Sequence, residues 1–246
     1  MVSLGFLVCS LGLSWYNYGE FEMKVFLSHS HLDKDLAGQV KVELAYYGLE
    51  VFLAHEDIEP LAEWIDVIFA ELKACDVFIP ILTENFDRSD WTDQETGIAY
   101  VGEKLIIPLK VAVDPHGFIA SIQALRLHVG NVKAACKRVA RVIASKPGFG
   151  DLFRDALIRK FGGSGSYDGA GDNIRLLLSF EGYTSSQVRD MARFTIANGQ
   201  INRSGSAYRK LLEFVRKYEG LIEPELYRAF REAIGAPINE QRDARF

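Results

Sequence analysis

The sequence predicts an α/β protein: a five-stranded parallel sheet covered by helices on both faces, followed by a small all-α unit. Three observations carry this. From Met23 onward, short apolar runs alternate with segments whose apolar residues recur every three or four positions, the pattern of buried strands separated by amphipathic helices. Strict alternation requires crossover connections, and these bury both faces of a parallel sheet. Beyond Pro147 the strand-like runs stop and only helical periods continue.

The elements follow in order. Residues 25–28 read as the first buried strand. Residues 33–47 form a helix with Leu36, Val40, Leu44 and Tyr47 on one side, closed by Gly48, a residue suited to the left-handed position after a helix. A strand over 49–53 leads through a polar loop to a helix over 62–73. The third strand is 77–82 and the third helix 91–101, with Ser89 or Asp90 as its N-cap. A fourth strand is expected over 105–109, a short fifth near 125–128, and a helix over 132–145. Pro147-Gly148-Phe149-Gly150 marks a boundary. A helix over 151–161 comes next, then a glycine-rich stretch over 162–171 that reads as a flexible linker. Helices are expected over 174–180, 186–197, 206–218 and 224–234, with Pro224 in a first turn and a turn at 198–201. The organisation is thus 1–22 extension, 23–146 sheet domain, 147–171 helix and linker, 172–236 helical domain and 237–246 tail.

Bulk properties narrow the function. Of the 246 residues, 48% are apolar and 25% charged, with a formal net charge of -5, which argues against nucleic acid as the default partner. The charge is uneven: 13 Lys+Arg against 20 Asp+Glu over 1–146, and 15 against 13 beyond. Cys9, Cys75 and Cys136 are scattered, neither a disulfide framework nor a zinc site, and point to a cytoplasmic protein. Residues 2–13 are apolar but too short to span a membrane, and they lack the basic start of a signal peptide. Translation is expected to begin at Met23, with 1–22 an upstream extension; a weak membrane-associating segment is the other reading. No membrane partner is expected.

Ligands of open parallel sheets bind beyond the carboxyl ends of the strands, where strand order reverses. For the order 2-1-3-4-5 that crevice lies between the first and third strands. The turn after the first carries Ser28, His29 and Ser30; the one after the third runs through Ser89 into Trp91 and Glu95. Trp91 and Glu95, four apart, share one side of a helix. On its own, Glu95 also fits a solvated first-turn carboxylate that favours the helix dipole. Trp91 fits a core residue, and Ser28–Ser30 fit turn and cap chemistry. His29, His31 and His55 lack metal-ligand spacing, so no metal is expected.

Several of these segments together resemble a bacterial Toll/interleukin-1 receptor (TIR) domain of the NAD-cleaving type. They are Val25-Phe26-Leu27-Ser28-His29-Ser30, Gly48-Leu49-Glu50-Val51-Phe52-Leu53, Asp57-Ile58 with Trp64, and Ser89-Asp90-Trp91-Thr92-Asp93-Gln94-Glu95. The resemblance covers about 23–146 and implies a flavodoxin-like fold. It further implies cleavage of NAD, as substrate rather than cofactor, to nicotinamide and an ADP-ribose product in bacterial defence or stress signalling. It maps the catalytic carboxylate to Glu95, and the nucleotide pocket to Ser28, His29, Ser30 and Trp91. The loop over the site, which also takes part in TIR–TIR self-association, maps to His55, Glu56, Asp57, Ile58 and Pro60. Here the chain departs from many relatives, with Ala54-His55-Glu56 after the second strand and Leu61-Ala62 before Glu63-Trp64. The helical part lies outside the resemblance and is expected to serve oligomerisation or to meet a regulatory partner.

The chemistry is self-consistent. Nicotinamide in NAD already carries a positive ring nitrogen and leaves without protonation, so the paired carboxylates of ordinary glycosidases are not required. One carboxylate can stabilise oxocarbenium-like charge on the ribose, and backbone N–H groups near Asp33 can meet phosphate. Two alternatives stay open: a non-catalytic TIR–TIR interaction module, and a nucleoside deoxyribosyltransferase-like glycosidase.

Overall fold

The computed structural model describes residues 23–53 and 64–236. The expected loop at His55, Glu56, Asp57, Ile58 and Pro60 lies outside them, as do 1–22 and 237–246. Strands β1 (Lys24–Ser28), β2 (Glu50–Leu53) and β3 (Val77–Leu82) pair in parallel, with β1 between β2 at the sheet edge and β3. Beyond β3 come β4, in two segments (Leu105–Ile106 and Leu109–Lys110), and β5 (Leu125–Arg126). The strand order is β2-β1-β3-β4-β5. Helices α1 (Lys34–Ala45), α2 (Trp64–Ala74), α3 (Asp90–Val101) and α4 (Val132–Ser145) cover it.

The fourth strand departs from the single run expected over 105–109. The Phe78 carbonyl accepts the Ile107 N–H at 3.0 Å. Two residues on, Pro80 has no N–H to offer on that same side, and the ladder resumes only at Ile81 opposite Leu109. The split is therefore written by a proline of the neighbouring strand.

Period-two alternation sorts the sheet residues onto two faces. Val25, Leu27, Val51, Leu53, Val77 and Ile79 pack under α1 and α4, whereas Phe26 and Phe78 pack with Ile68, Leu72 and Ala99 under α2 and α3. All six residues of β3 are buried, as a central strand covered on both sides requires.

The rest of the chain is helical: α5 (Phe149–Gly162), α6 (Tyr167–Leu177), α7 (Ser185–Ala197), α8 (Gly199–Asn202), α9 (Gly205–Lys217) and α10 (Pro224–Ala233). Two expectations are corrected. The segment expected as a turn at 198–201 is instead the N-cap and start of the single-turn helix α8. The stretch 162–171 is not a flexible linker: α6 begins at Tyr167, capped by Ser166, whose side chain accepts the Gly169 N–H. Its glycines serve close packing. A Cβ at Gly162 would stand 2.6 Å from the Phe194 ring, and one at Gly171 would collide with Ser206. Nor is the helical region loosely attached. Its apolar residues form one continuous core with the α1/α4 side of the sheet. At the seam the Phe153 ring meets Phe180 edge-on at 5.0 Å, and Phe180 meets Tyr47. Gly48, at φ 77°, lets the chain turn where a side chain would press on the Ala156 carbonyl.

Candidate active site

The crevice at the carboxyl ends of β1 and β3 is built by strand ends and turns. Ser28 closes β1, in register with Pro80 of β3. Ser30 then caps a single 3-10 turn over His31–Asp33, its side chain accepting the Leu32 N–H. Across from it, a second such turn over Phe86–Arg88 precedes α3. Ser89 holds the N-cap position of α3, although its side chain makes no capping bond. The start of α3 is fastened instead by the Thr92 hydroxyl, which donates to the carbonyls of Phe86 and Ser89.

Glu95 is not a solvated first-turn carboxylate. It sits in the second turn of α3 and is 2% exposed, turned inward to β1. There the Ser28 hydroxyl donates to Glu95 Oε2 at 2.5 Å. Oε1 is buried and has no hydrogen-bond partner among the described residues. Burial pushes the Glu95 carboxyl up to about 7, against the lowering effect of the Ser28 hydroxyl, because a desolvated charge is costly. A buried carboxylate with one oxygen held and the other unmatched leaves an acceptor for a ligand group.

Of the other expected site residues, Ser28, His29 and Ser30 are all buried. His29 Nδ1 lies 3.3 Å from the Leu27 carbonyl. Trp91, one turn before Glu95, is half-buried. Sequence reasoning missed the polar bracket formed by Asp33, Thr83 and Asn85. The Asp33 carboxylate, at the N-cap of α1, accepts the Thr83 hydroxyl at 2.5 Å and the Asn85 amide at 2.9 Å. No local pattern announces a bond between residues 50 or 52 positions apart; only the predicted neighbouring of the two turns could have suggested it. On the far side of α3, His116 lies between Asp87 and Asp93 and ties the turn before Gly117 to the helix. Among the described residues no cluster of His, Cys, Asp or Glu is placed to hold a metal. None of their helices is long and apolar enough to cross a membrane.

A chain with this strand order and a carboxylate at its switch point can be compared with known proteins. Residues 25–140 match the TIR domain family. The helical region lies outside that match. Among solved structures, the chain is similar to the TIR domain of the Toll-related receptor TRR-2 from Hydra magnipapillata. The two share 18% identity, the match covers 54% of this chain and 96% of that one, and the TM-score is 0.39. No curated protein matches. The match to the TIR domain family thus covers the α/β part of the molecule, and a helical C-terminal region follows it.

Proposed function

We propose that the chain is an NAD glycohydrolase in which Glu95 is the catalytic carboxylate: NAD and water give nicotinamide, ADP-ribose and a proton. The observation that carries this reading is the buried Glu95 carboxylate, with Oε2 held by Ser28 and Oε1 without a hydrogen-bond partner among the described residues, at the crevice where open parallel sheets take ligands. An unmatched buried carboxylate oxygen is costly to keep. A ribose hydroxyl would satisfy it, and a ribose acquiring positive charge would do so best. As the C–N bond breaks, the bond pair moves to the pyridinium nitrogen and neutralises it, and the ribose becomes oxocarbenium-like. The ionised Glu95 stabilises that charge in surroundings that exclude water, where electrostatics are strongest. Its partner Ser28 keeps the oxygens oriented and favours the ionised form. Trp91 at the rim supplies an apolar wall beside the leaving ring. A role in bacterial defence or stress signalling, with TIR domains self-associating and the helical region regulating them, fits such an activity.

Purified protein incubated with NAD is expected to release nicotinamide, and Glu95→Gln to lower kcat by about a thousandfold. Activity retained in Glu95→Gln would remove the residue from its role. Turnover of nucleosides but not NAD would favour the deoxyribosyltransferase-like alternative. Assembly that is independent of Glu95, without turnover of either substrate, would favour the interaction module.

A further inference from the structure

The two turns that flank the crevice are joined by one side chain. Asp33 stands where the turn after β1 enters α1, half-buried. Its Oδ2 accepts the Thr83 hydroxyl and its Oδ1 the Asn85 amide. Thr83 Oγ1 in turn accepts the Phe86 N–H at 3.0 Å, and the Phe86 carbonyl accepts the Thr92 hydroxyl at 2.8 Å. A continuous chain of hydrogen bonds therefore runs from the start of α1 to the first turn of the helix that carries Glu95.

We propose that Asp33 is a positioning residue: it clamps the turn after β1 to the turn after β3 and so sets Glu95 against Ser28. The proposal rests on the NAD reading for what the crevice holds, while the clamp is a property of the two turns. Other roles for Asp33 fit less well. It occupies the N-cap of α1 but its side chain makes no capping bond. It makes no ion pair in the clamp, since both partners are neutral donors. The phosphate expected at this helix start would face the Asp33 carboxylate, which opposes the attraction that helix termini offer to anions and removes that expectation. A carboxylate suits the clamp because it accepts at both oxygens, and charge makes each bond stronger than a neutral one. An asparagine here keeps one acceptor for the Asn85 amide but presents an NH2 to the Thr83 hydroxyl, so that arm is reversed and both bonds lose the strengthening of the charge.

The full chain carrying Asp33→Asn, Asn85→Ala or both tests this, by NAD kinetics and by amide hydrogen exchange. In Asp33→Asn, kcat is expected to fall about tenfold, as misplaced catalytic groups do, with a smaller change in KM. The Phe86 amide and its neighbours over 83–88 should exchange faster while the central strands stay protected. The double variant should lose no more than the worse single one, because both substitutions open one clamp. Wild-type kcat and exchange in Asp33→Asn would overturn the proposal, and so would losses that multiply in the double variant. Faster exchange throughout the sheet would overturn it too, by making Asp33 a general stabiliser. If the wild-type chain does not cleave NAD but Asp33→Asn loosens the turns selectively, the NAD reading fails and the clamp stands. If the wild type cleaves NAD and Asp33→Asn behaves identically, the clamp alone fails.

Discussion

The two faces of the sheet are built to different ends. On the α1/α4 side, strand residues such as Val25, Leu27 and Ile79 continue without a break through Phe153, Phe161 and Phe180 into the helical region. Among the described residues, the core on the α2/α3 side is the smaller one, with Phe26, Ile68, Leu72, Cys75, Phe78, Ala99, Ile106 and Ile119 as its buried members. At its margin the Tyr100 and Phe118 rings stack with both side chains exposed. The helix that carries Glu95 belongs to the small side. The lesson is one of separation: the costly buried carboxylate stands on the thin face, and the large shared core lies on the other. A destabilised, functional element is tolerable where the rest of the fold holds a surplus.

The sharpest way to break that contrast is to damage the shared core. Phe153 is fully buried at the seam, and Phe153→Ala is expected to cost about 4 kcal/mol. Sheet and helical region should then unfold together at a lower denaturant midpoint, with circular dichroism and the fluorescence of the tryptophans, all of which precede residue 147, coincident; two separated transitions would show that the cores are distinct. The next effect is pH-dependent. Between the ordinary 4.5 and the raised value of about 7, the folded protein holds the Glu95 proton more tightly than the unfolded chain does. The resulting stabilisation is fully present below pH 4.5 and is lost as pH rises through about 7, a change of roughly 3 kcal/mol. Glu95→Gln lacks this titration, so its stability relative to wild type should climb across that window. Parallel pH–stability curves would show that the carboxylate is not costly where it sits. The smallest expected effect lies in the helical region. Gly162→Ala should cost about 1–2 kcal/mol through overpacking against Phe194, and a rise in melting temperature would restore the linker reading of that stretch.

Much of this molecule was legible in its sequence, because the pattern of strands 25–28 and 77–82 reflects burial on both faces and survives any detail of packing. The order of the strands then placed Ser28 and Glu95 at one crevice. Spacing could not reveal which way Glu95 turns. The same i,i+4 relation to Trp91 suits a solvated carboxylate and a buried one, and only the Ser28 hydroxyl across the crevice decides between them. The glycines of 162–171 misled for a related reason. Glycine marks flexibility and close helix approach alike, and the ring of Phe194, which separates the two meanings, lies 32 residues further along the chain from Gly162. The fourth strand broke because of Pro80, a residue of another strand.

The two described cysteines happen to be divided between the two cores, Cys75 on the α2/α3 side and Cys136 on the α1/α4 side. Burial pushes their thiols up to about 11 and about 12, so neither is nucleophilic while its surroundings stay closed. Each thiol is a clock sealed inside one face. In a background where Cys9 is replaced by serine, the rate at which a thiol reagent captures Cys75 reports the opening of the layer beneath the Glu95 helix. Capture of Cys136 reports the opening of the shared core, and the same sample of unmodified native protein keeps both times.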